Sequence, residues 1–333
     1  MEEKVFHCYL WNSIKVDNLA LSIINTTPFQ RLHYIKQTGL LYKVFPTATH
    51  TRFQHSLGVY HVTRKLLNKL EENNQVLGLT HRQKQLICIA GLVHDLGHGP
   101  FSHLYDEYLK HKRVHETNDE TMILSTHEER SCQILKHIMQ TPHPITKQKI
   151  GLNMEEYIFI CDCISKPQPG KWYYHIINNP YSSFDVDKID YLLRDARQIG
   201  IPSTFNIERI LENITIKKGE LCFSEKIHHE IEKMFTMREE MYTMIYQYPK
   251  VQKYQSFVLK FMMEKDFTGN SLLEFLKLSD EKVLEICLTE RQREEFETGL
   301  GPEWEDISVS EYQPDNQKSL ALRNINWIKK ESS

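Results

Sequence analysis

The stretch HDLGHGPFSH, residues 94–103, places three histidines and an aspartate beside two glycines and a proline. The preceding apolar run, LICIAGLV at 86–93, predicts a buried helix that begins after Thr80 and ends near the glycines. His94 and Asp95 thus directly follow a buried helix. A carboxylate in such surroundings must be paired, hydrogen-bonded or bound to a metal. Imidazole with carboxylate suits zinc, iron or manganese. Two ligands do not complete a site, so others must come from elsewhere.

Helix-period patterns dominate the rest of the chain. Apolar spacing predicts an amphipathic helix over 53–72, and Thr126 with Glu129 has the spacing of a capping box. Further helices are predicted over 185–198, 228–246 and 249–265 and after the cap Ser279. A hairpin is predicted at 213–224, around a Lys-Gly turn, and a weak strand at 40–45.

These elements predict a mainly α protein with a small β-hairpin. We expect one large domain over 1–265 and a lighter, partly loosely packed C-terminal appendage over 266–333.

Composition excludes several classes of protein. Of the 333 residues, 40% are hydrophobic and 26% charged, which suits a soluble chain with a real core. A net charge of −3 argues against a general attraction to nucleic acid or to anionic membranes. The sequence shows no signal peptide and no apolar run near the roughly 18 residues of a membrane span. With seven cysteines and no CxxC pair, we expect reduced thiols and an intracellular location, cytoplasmic or nuclear.

Two distant residues complete a pattern with His94 and Asp95. His55 lies on the early amphipathic helix and Asp187 at the start of a later one. Taken alone, His55 reads as a helix-surface histidine and Asp187 as an acid that complements the helix dipole. Together, H…HD…D followed by GHGPFSH resembles the HD-domain phosphohydrolase superfamily. The resemblance is greatest to deoxynucleoside triphosphate triphosphohydrolases, including vertebrate members with a sterile-alpha-motif domain, which is not seen here. It extends over about 20–290, through segments at 27–39, 44–59, 89–103, 126–131, 185–201 and 237–247.

The resemblance implies a metal site and an adjacent proton-transfer site. It assigns the metal, which could be iron, manganese or zinc, to His55, His94, Asp95 and Asp187. Magnesium on the outer phosphates is compatible with this assignment. It also implies that His127 is the acid, that His103 with Asp106 is a supporting pair, and that His98 donates a hydrogen bond to the phosphate. For His98, simple capping of the Gly-Pro turn stays open.

The same resemblance places the substrate. Arg52 lies three residues before His55 on the same helix face and can reach a metal-bound phosphate. The outer phosphates are assigned to Lys188, Tyr191 and Arg238, the sugar to Gln37 and to Asp195 at the 3′-hydroxyl, and the 2′ position to Tyr246 with Gln247 beside it. The alternative for the row around Tyr246 is an aromatic and methionine core stripe.

Some positions depart from the family pattern. Thr38 and Tyr242 replace a leucine and a histidine, and Pro249 follows where the family helix continues, so sugar and base preference stay open. Asn25 and His33 replace an aspartate and an arginine that read a guanine-nucleotide activator in the vertebrate enzymes, whereas Gln30 and Arg31 remain. We therefore expect activator-driven tetramer assembly to be weakened or lost. A homo-oligomer, dimer or tetramer, is still expected.

The sequence thus predicts metal-dependent hydrolysis of deoxynucleoside triphosphates to deoxynucleoside and inorganic triphosphate. By the resemblance, metal-bound hydroxide attacks the α-phosphorus. One alternative is a phosphohydrolase of another nucleotide, a monophosphate or a signalling nucleotide. The outer set Lys188, Tyr191 and Arg238 favours a triphosphate, since a monophosphate would not need it. Another is a nucleic-acid-binding regulatory module with a vestigial site, against which stand the near-neutral charge and the complete ligand set.

Overall fold

The computed structural model describes residues 4–73, 77–115, 126–165, 171–265, 271–307 and 324–328. In these ranges the chain is mainly α, which confirms the predicted fold class. The α-helices are α1 (Asn18–Ile24), α2 (Thr27–Gln30), α3 (Arg52–Glu72), α4 (His81–Val93), α5 (His103–His115), α6 (His127–Gln140), α7 (Met154–Ser165), α8 (Val186–Gln198), α9 (Ile207–Glu212), α10 (His228–Glu240), α11 (Pro249–Lys265), α12 (Leu272–Phe275), α13 (Asp280–Cys287), α14 (Glu290–Thr298) and α15 (Pro302–Glu305). Short 3₁₀ helices cover Arg31–Tyr34, Gly39–Lys43, Trp172–His175 and Glu225–Ile227, and a π-helix covers Met241–Tyr246. The strands are β1 (Lys4–Cys8), β2 (Asn12–Val16), β3 (Ile214–Lys217), β4 (Glu220–Ser224) and β5 (Trp327–Ile328).

Helix α4 runs through the middle of the core, where it packs against α3 and α7, while α3 also packs against α8. Thr80 caps α4 by accepting from the backbone N–H of Gln83 at 3.1 Å, and the Gln83 side chain accepts from the Thr80 N–H at 2.9 Å. From Leu86 to Val93 every residue of α4 is buried, as the apolar run predicts. The residues that follow this helix therefore begin in the interior of the protein.

Two small sheets flank the helices. The predicted hairpin at 213–224 is present as β3 and β4, and β5 adds to β4 in parallel. A second hairpin, β1–β2, was not predicted, although Ile14 and Val16 alternate as buried residues and the Asn12 backbone is left-handed at φ 58°. In its turn, the Trp11 indole N–H donates to Asp190 on α8. The N-terminal hairpin thus supports the helix that carries Asp187.

Two element predictions were wrong in detail. The weak strand at 40–45 is instead a 3₁₀ helix, because Leu40 and Leu41 are adjacent and both buried, which a strand with alternating faces does not allow. The single helix expected over 228–246 changes at Met241 from α to π, with the Gln247 N–H donating to the Tyr242 carbonyl at 3.0 Å. Such π segments often occur at functional sites.

The C-terminal helices pack on the rest of the chain, with α13 against α11. The proposed domain division after residue 265 stays a prediction, and residues 266–270, 308–323 and 329–333 of the expected appendage lie outside the described ranges. In the described part of the chain, no helix combines the length and apolar character that crossing a membrane requires.

Candidate metal centre and active-site cavity

A cavity of about 950 Å³ opens beside the end of α4. Its walls come from the 37–41 segment, the turn before α5, the start of α6, α8, and α10 with the π-helix and α11. All the site residues predicted from the sequence line this cavity except His55 and Asp106, which contact the lining residues Asp187 and His127. Those that line it are Gln37, Arg52, His94, Asp95, His98, His103, His127, Asp187, Lys188, Tyr191, Asp195, Arg238, Tyr246 and Gln247.

Four of the predicted residues converge at the floor of the cavity. His55 Nε2 lies 3.0 Å from Asp187 Oδ1 and 3.5 Å from Asp95 Oδ2. His94 Nε2 lies 3.3 Å from Asp95 Oδ1 and 3.4 Å from Asp187 Oδ1. Ligands about 2.1 Å from one metal ion are separated by about 3.0–3.4 Å in octahedral or tetrahedral geometry. The ligand atoms of His55, His94 and Asp95 lie within 4.8 Å of one another, and Asp187 Oδ1 lies within 3.4 Å of both Nε2 atoms, an arrangement suited to one metal ion.

Both imidazole rings have an acceptor oxygen beside Nδ1, which favours the tautomer that a metal requires. His55 Nδ1 is 2.8 Å from Asp190 Oδ2, and His94 Nδ1 is 2.9 Å from the Gly91 carbonyl oxygen. With its proton on Nδ1, each ring directs the lone pair of Nε2 to the cluster. Among the residues that the structure describes, neither Nε2 atom makes a hydrogen bond of suitable angle, although both are buried and lie within 3.4 Å of Asp187 Oδ1. These residues fit a divalent transition metal, which His55, His94, Asp95 and Asp187 would hold.

The charges around the cluster favour a cation. Burial opposes ionisation of Asp95, but Arg52, whose Nη1 is 2.6 Å from Asp95 Oδ2, helps to hold the pKa of this carboxyl well below its usual range. Burial alone would lower the pKa of His55, but the carboxylates of Asp187 and Asp190 raise it to about 10. The position at His55 Nε2 therefore attracts positive charge, which a metal ion would supply.

A second group of predicted residues forms the adjacent wall. His127 Nδ1 lies 3.1 Å from Asp106 Oδ2, and the other Asp106 oxygen accepts from the Arg130 guanidinium. Burial opposes ionisation of Asp106, but His103 and His127 hold its pKa far below the usual range. The His98 ring stacks on His127, with centroids 4.1 Å apart. His103 Nδ1 is 3.8 Å from Asp106, so the closest imidazole partner of this carboxylate is His127.

Burial and the nearby cations hold the pKa of His98 well below its usual range. Its Nε2 is 3.2 Å from Asp95 Oδ1, so this ring connects the metal cluster to the second group. A neutral imidazole in this position can donate or accept a hydrogen bond, but it does not supply a permanent charge.

Close approach of α6 to the turn after α4 places His127 at the cavity. The Gly97 N–H donates to Ser131 Oγ at 2.8 Å, and Arg130 Nε donates to the Gly97 carbonyl at 2.8 Å. Ser131 Oγ in turn donates to the His94 carbonyl. A Cβ atom at Gly97 would overlap the carbonyl oxygen of His127, so glycine is required for this approach.

The wall opposite carries cationic and phenolic side chains. Lys188 Nζ donates to Asp185 Oδ2 at 2.6 Å and also faces the cavity. Tyr191 and Arg238 lie on the same wall, on α8 and α10. Together with Arg52 they present three cationic groups and a phenol to whatever occupies the cavity.

A hydrogen-bonded chain forms the far end of the cavity. The Tyr246 hydroxyl donates to Asp195 Oδ2 at 2.7 Å, and His50 Nε2 is 2.6 Å from Asp195 Oδ1. Burial and Asp195 hold the pKa of Tyr246 well above its usual range, so the phenol stays protonated. The His50 carbonyl accepts from the Gln37 N–H at 3.0 Å. The residues assigned to the sugar are thus joined through His50.

Two residues at the expected activator positions, Arg31 and His33, have partners within the protein. Arg31 donates from Nε to the Leu278 carbonyl and from Nη1 to the His98 carbonyl, each at 2.9 Å. The His33 ring stacks on Phe53 with centroids 3.6 Å apart. The expected weakening of guanine-nucleotide activation stays a prediction.

The sequence reading missed several supporting residues. Asp190 lies three residues after Asp187, a spacing that places both on one face of α8 and could have identified it. Arg194, which forms a buried ion pair with Asp190 at 2.8 Å, follows at the next turn. No local pattern in the sequence marks His50 or Ser131, because their hydrogen-bond partners are distant in sequence.

Comparisons with known proteins show what this chain is similar to. Residues 52–158 match the HD domain family. The putative HD domain-containing protein L394 of Acanthamoeba polyphaga mimivirus is 33% identical over 313 residues, which cover 86% of this chain and 64% of the relative. The deoxynucleoside triphosphate triphosphohydrolase SAMHD1 homolog of Dictyostelium discoideum is 31% identical, covering 91% of this chain and 56% of the relative. The SAMHD1 protein of Gallus gallus is 33% identical, covering 74% and 42%.

The chain thus spans between 42% and 64% of the length of these three relatives. The family match begins at Arg52 and includes the HD pair at His94 and Asp95. The chain therefore carries an HD domain and is a homologue of deoxynucleoside triphosphate triphosphohydrolases of the SAMHD1 type.

Proposed function

We propose that this protein is a metal-dependent hydrolase that converts deoxynucleoside triphosphates to deoxynucleoside and inorganic triphosphate. The observation that carries the proposal is the convergence of two unpartnered imidazole nitrogens and two carboxylates at the floor of a cavity of about 950 Å³. Ligand cavities span about 300–1,000 Å³, so this one has room for a nucleoside triphosphate. The names of the relatives support the choice of substrate.

The cavity walls suit a triphosphate at one end and a sugar at the other. A divalent metal bound at the four ligands would lower the pKa of a bound water and polarise a phosphoryl oxygen. Arg52, Lys188 and Arg238 would bind the phosphates through charge-assisted hydrogen bonds. Magnesium on the outer phosphates remains compatible with this arrangement and belongs to the proposal.

His127 would deliver the proton that the leaving 5′ oxygen needs when water attacks the α-phosphorus. Asp106, at 3.1 Å from His127 Nδ1, holds the ring in place. His127 Nε2, which lies 3.4 Å from Glu128 Oε1, would transfer the proton. His98, stacked on His127, would hydrogen-bond a phosphoryl oxygen, and His103 with Asp106 would support the acid.

At the sugar end, Asp195 would accept a hydrogen bond from the 3′-hydroxyl. Both of its oxygens already have partners, but a carboxylate oxygen can accept two hydrogen bonds. The Tyr246 ring, held by Asp195, would crowd the 2′ position and disfavour ribonucleotides. Gln37 and Gln247 would complete the sugar contacts.

The test is incubation of the purified protein with each dNTP and each NTP, with manganese or magnesium, and separation of the products by ion-pair chromatography. We expect deoxynucleoside and triphosphate from dNTPs, and no turnover in Asp95→Ala. Asp17→Ala, which removes the N-terminal cap of α1 away from the cavity, is the control for lost stability alone.

The products discriminate among the alternatives. Diphosphate or single-phosphate products would place the attack on another phosphorus and contradict the proposed substrate pose. Turnover of monophosphates or signalling nucleotides alone would make the protein another kind of HD phosphohydrolase. No turnover, even with GTP added, would favour a regulatory module with an inactive site.

A further inference from the structure

The turn that joins α4 to α5 has an unfavourable backbone conformation. Phe101 and Ser102 are consecutive and both left-handed, with φ angles of 59° and 58°. Such angles are unfavourable in residues with side chains and persist only where the surroundings hold them. The same turn carries His98 at one end and His103 at the other, so its conformation sets the position of both imidazoles.

A carboxylate from the C-terminal part of the chain holds this turn. Asp280 is the first residue of α13 and is only 2% exposed. Its Oδ1 accepts from the Phe101 N–H at 2.7 Å, and its Oδ2 accepts from the Lys36 N–H at 2.9 Å. Ser279 already caps α13 by accepting from the Lys282 N–H at 3.3 Å. The Asp280 side chain therefore serves the turn and the 36–37 segment rather than its own helix.

Leu278, two residues before Asp280, is linked through Arg31 to the other end of the turn. The Leu278 carbonyl accepts from Arg31 Nε, and Arg31 Nη1 donates to the His98 carbonyl, each at 2.9 Å. The start of α13 thus holds the turn near His98 through Arg31 and at Phe101 through Asp280.

Hydrogen bonds continue from the held segments to the metal cluster. Ser102 Oγ donates to the Lys36 carbonyl at 2.7 Å and accepts from Arg52 Nε at 2.9 Å. Arg52 Nη1 donates to Asp95 at 2.6 Å. A shift of the Phe101–Ser102 turn would therefore also move the guanidinium that faces the phosphate position.

The charge on Asp280 matters for this arrangement. Burial raises its pKa to about 6, against the two backbone N–H donors and the cations Lys36 and Arg31. Above that pH the carboxylate is ionised and both oxygens accept hydrogen bonds. An amide of the same shape has one acceptor oxygen, and its NH₂ group would face one of the two N–H donors.

We propose that Asp280 is a positioning residue for the candidate active site, which holds the Phe101–Ser102 turn against the 36–37 segment and thereby orients His98, His103 and Arg52. Its effect on turnover rests on the function proposed above. Removal of Asp280 should lower kcat about 10- to 100-fold, because small misplacements of reacting groups cost rates of this size. The KM should change less than about threefold, because most groups assigned to the outer phosphates and the sugar, with the exception of Gln37, lie on or beside α8, α10 and the π-helix.

The experiment compares the full-length wild-type protein with Asp280→Asn, Asp280→Ala and the control Glu281→Gln. Glu281 is the next residue, 62% exposed in its side chain, and pairs with Arg293 on the surface. The kcat and KM of each variant are measured with a dNTP as substrate, at a temperature well below the melting temperature of that variant. Amide hydrogen exchange is measured by mass spectrometry on peptides that cover 35–38 and 99–103.

We expect a lower kcat with nearly constant KM in both Asp280 variants, and at least about tenfold faster exchange in the two segments only. If Ala does not fold, the isosteric Asn variant decides the matter. Wild-type kcat in Asp280→Asn, unchanged exchange in the two segments, or faster exchange throughout α3 and α4 would overturn the proposal. If the wild type hydrolyses no dNTP, the proposed function fails, whereas the exchange data still show whether Asp280 holds the turn.

Discussion

The two histidine groups around the cavity differ in how firmly their rings are held. His55 and His94, the buried pair, each have Nδ1 bound at 2.8–2.9 Å and Nε2 directed at carboxylates. His103 and His127, the exposed pair, have side chains 76% and 25% accessible to solvent. Rigid, desolvated imidazoles suit metal binding, whereas imidazoles that reach solvent can exchange protons with it. The comparison predicts that the buried pair holds the metal and that the exposed pair acts in proton transfer.

The largest effect is expected from Asp187→Ala. This carboxylate approaches both Nε2 atoms of the buried pair, and its side chain is 31% exposed, so its loss should cost little stability. We expect bound metal to be lost and turnover to fall by about a thousandfold or more. Metal stoichiometry by mass spectrometry and steady-state hydrolysis measure the two effects. The control is Glu212→Ala, at the exposed end of α9, and full metal content in Asp187→Ala would contradict the assignment.

His127→Gln should separate the two groups. Loss of the proposed acid should lower kcat about 10²- to 10⁴-fold, while the metal content stays at the wild-type level. The control is His137→Gln, near the end of the same helix and away from the cavity. Should the metal dissociate from His127→Gln, the division of roles between the two pairs would be wrong.

Asp190→Asn tests what holds the buried pair. Asp190 binds His55 Nδ1 at 2.8 Å and forms a buried ion pair with Arg194. Loss of such an orienting carboxylate typically weakens metal affinity about 10- to 100-fold, and we expect a loss of this size. Competition with a chelator measures the affinity. A Cβ atom at Gly58 would overlap Asp190, so Gly58→Ala should act in the same direction. Unchanged affinity in both variants would show that His55 needs no such support.

The smallest effect is expected from His103→Ala. His103 is largely exposed, and its Nδ1 lies 3.8 Å from Asp106, beyond hydrogen-bonding distance. We therefore expect turnover to fall by about tenfold or less, compared with His111→Ala on the same helix. A loss as large as that in His127→Gln would mean that His103 moves closer to the reacting atoms when substrate binds.

Local sequence signals predicted much of the helical framework. Thr80 and Thr126 both cap their helices as predicted, and the apolar run of α4 is buried throughout. These predictions succeeded because caps and helix faces depend on residues within about four positions of one another. The prediction of the hairpin at 213–224 succeeded for the same reason. The strand predicted at 40–45 failed because β-type residues occur there without alternating burial.

The supporting residues of the site could not be predicted in this way. His50 and Asp195 are 145 residues apart, and Asp280 reaches a backbone N–H at Phe101, 179 residues earlier. No local pattern marks such pairs, because each residue alone is compatible with a surface position or a helix cap. The resemblance to a known family supplied candidates for contact with substrate or metal. It did not supply the residues, such as His50 and Asp280, that hold other groups in place.

The amino-acid sequence was sufficient for the identity of the candidate metal ligands, since His94 and Asp95 end an apolar helix and His55 and Asp187 complete a recognisable pattern. Tertiary packing decided which ring nitrogen faces the metal position, which imidazoles reach solvent, and how the Phe101–Ser102 turn is held. The reason is physical. Ligand types and helix faces follow from covalent chemistry and local periodicity, whereas hydrogen-bond partners and burial depend on contacts between segments that only folding brings together.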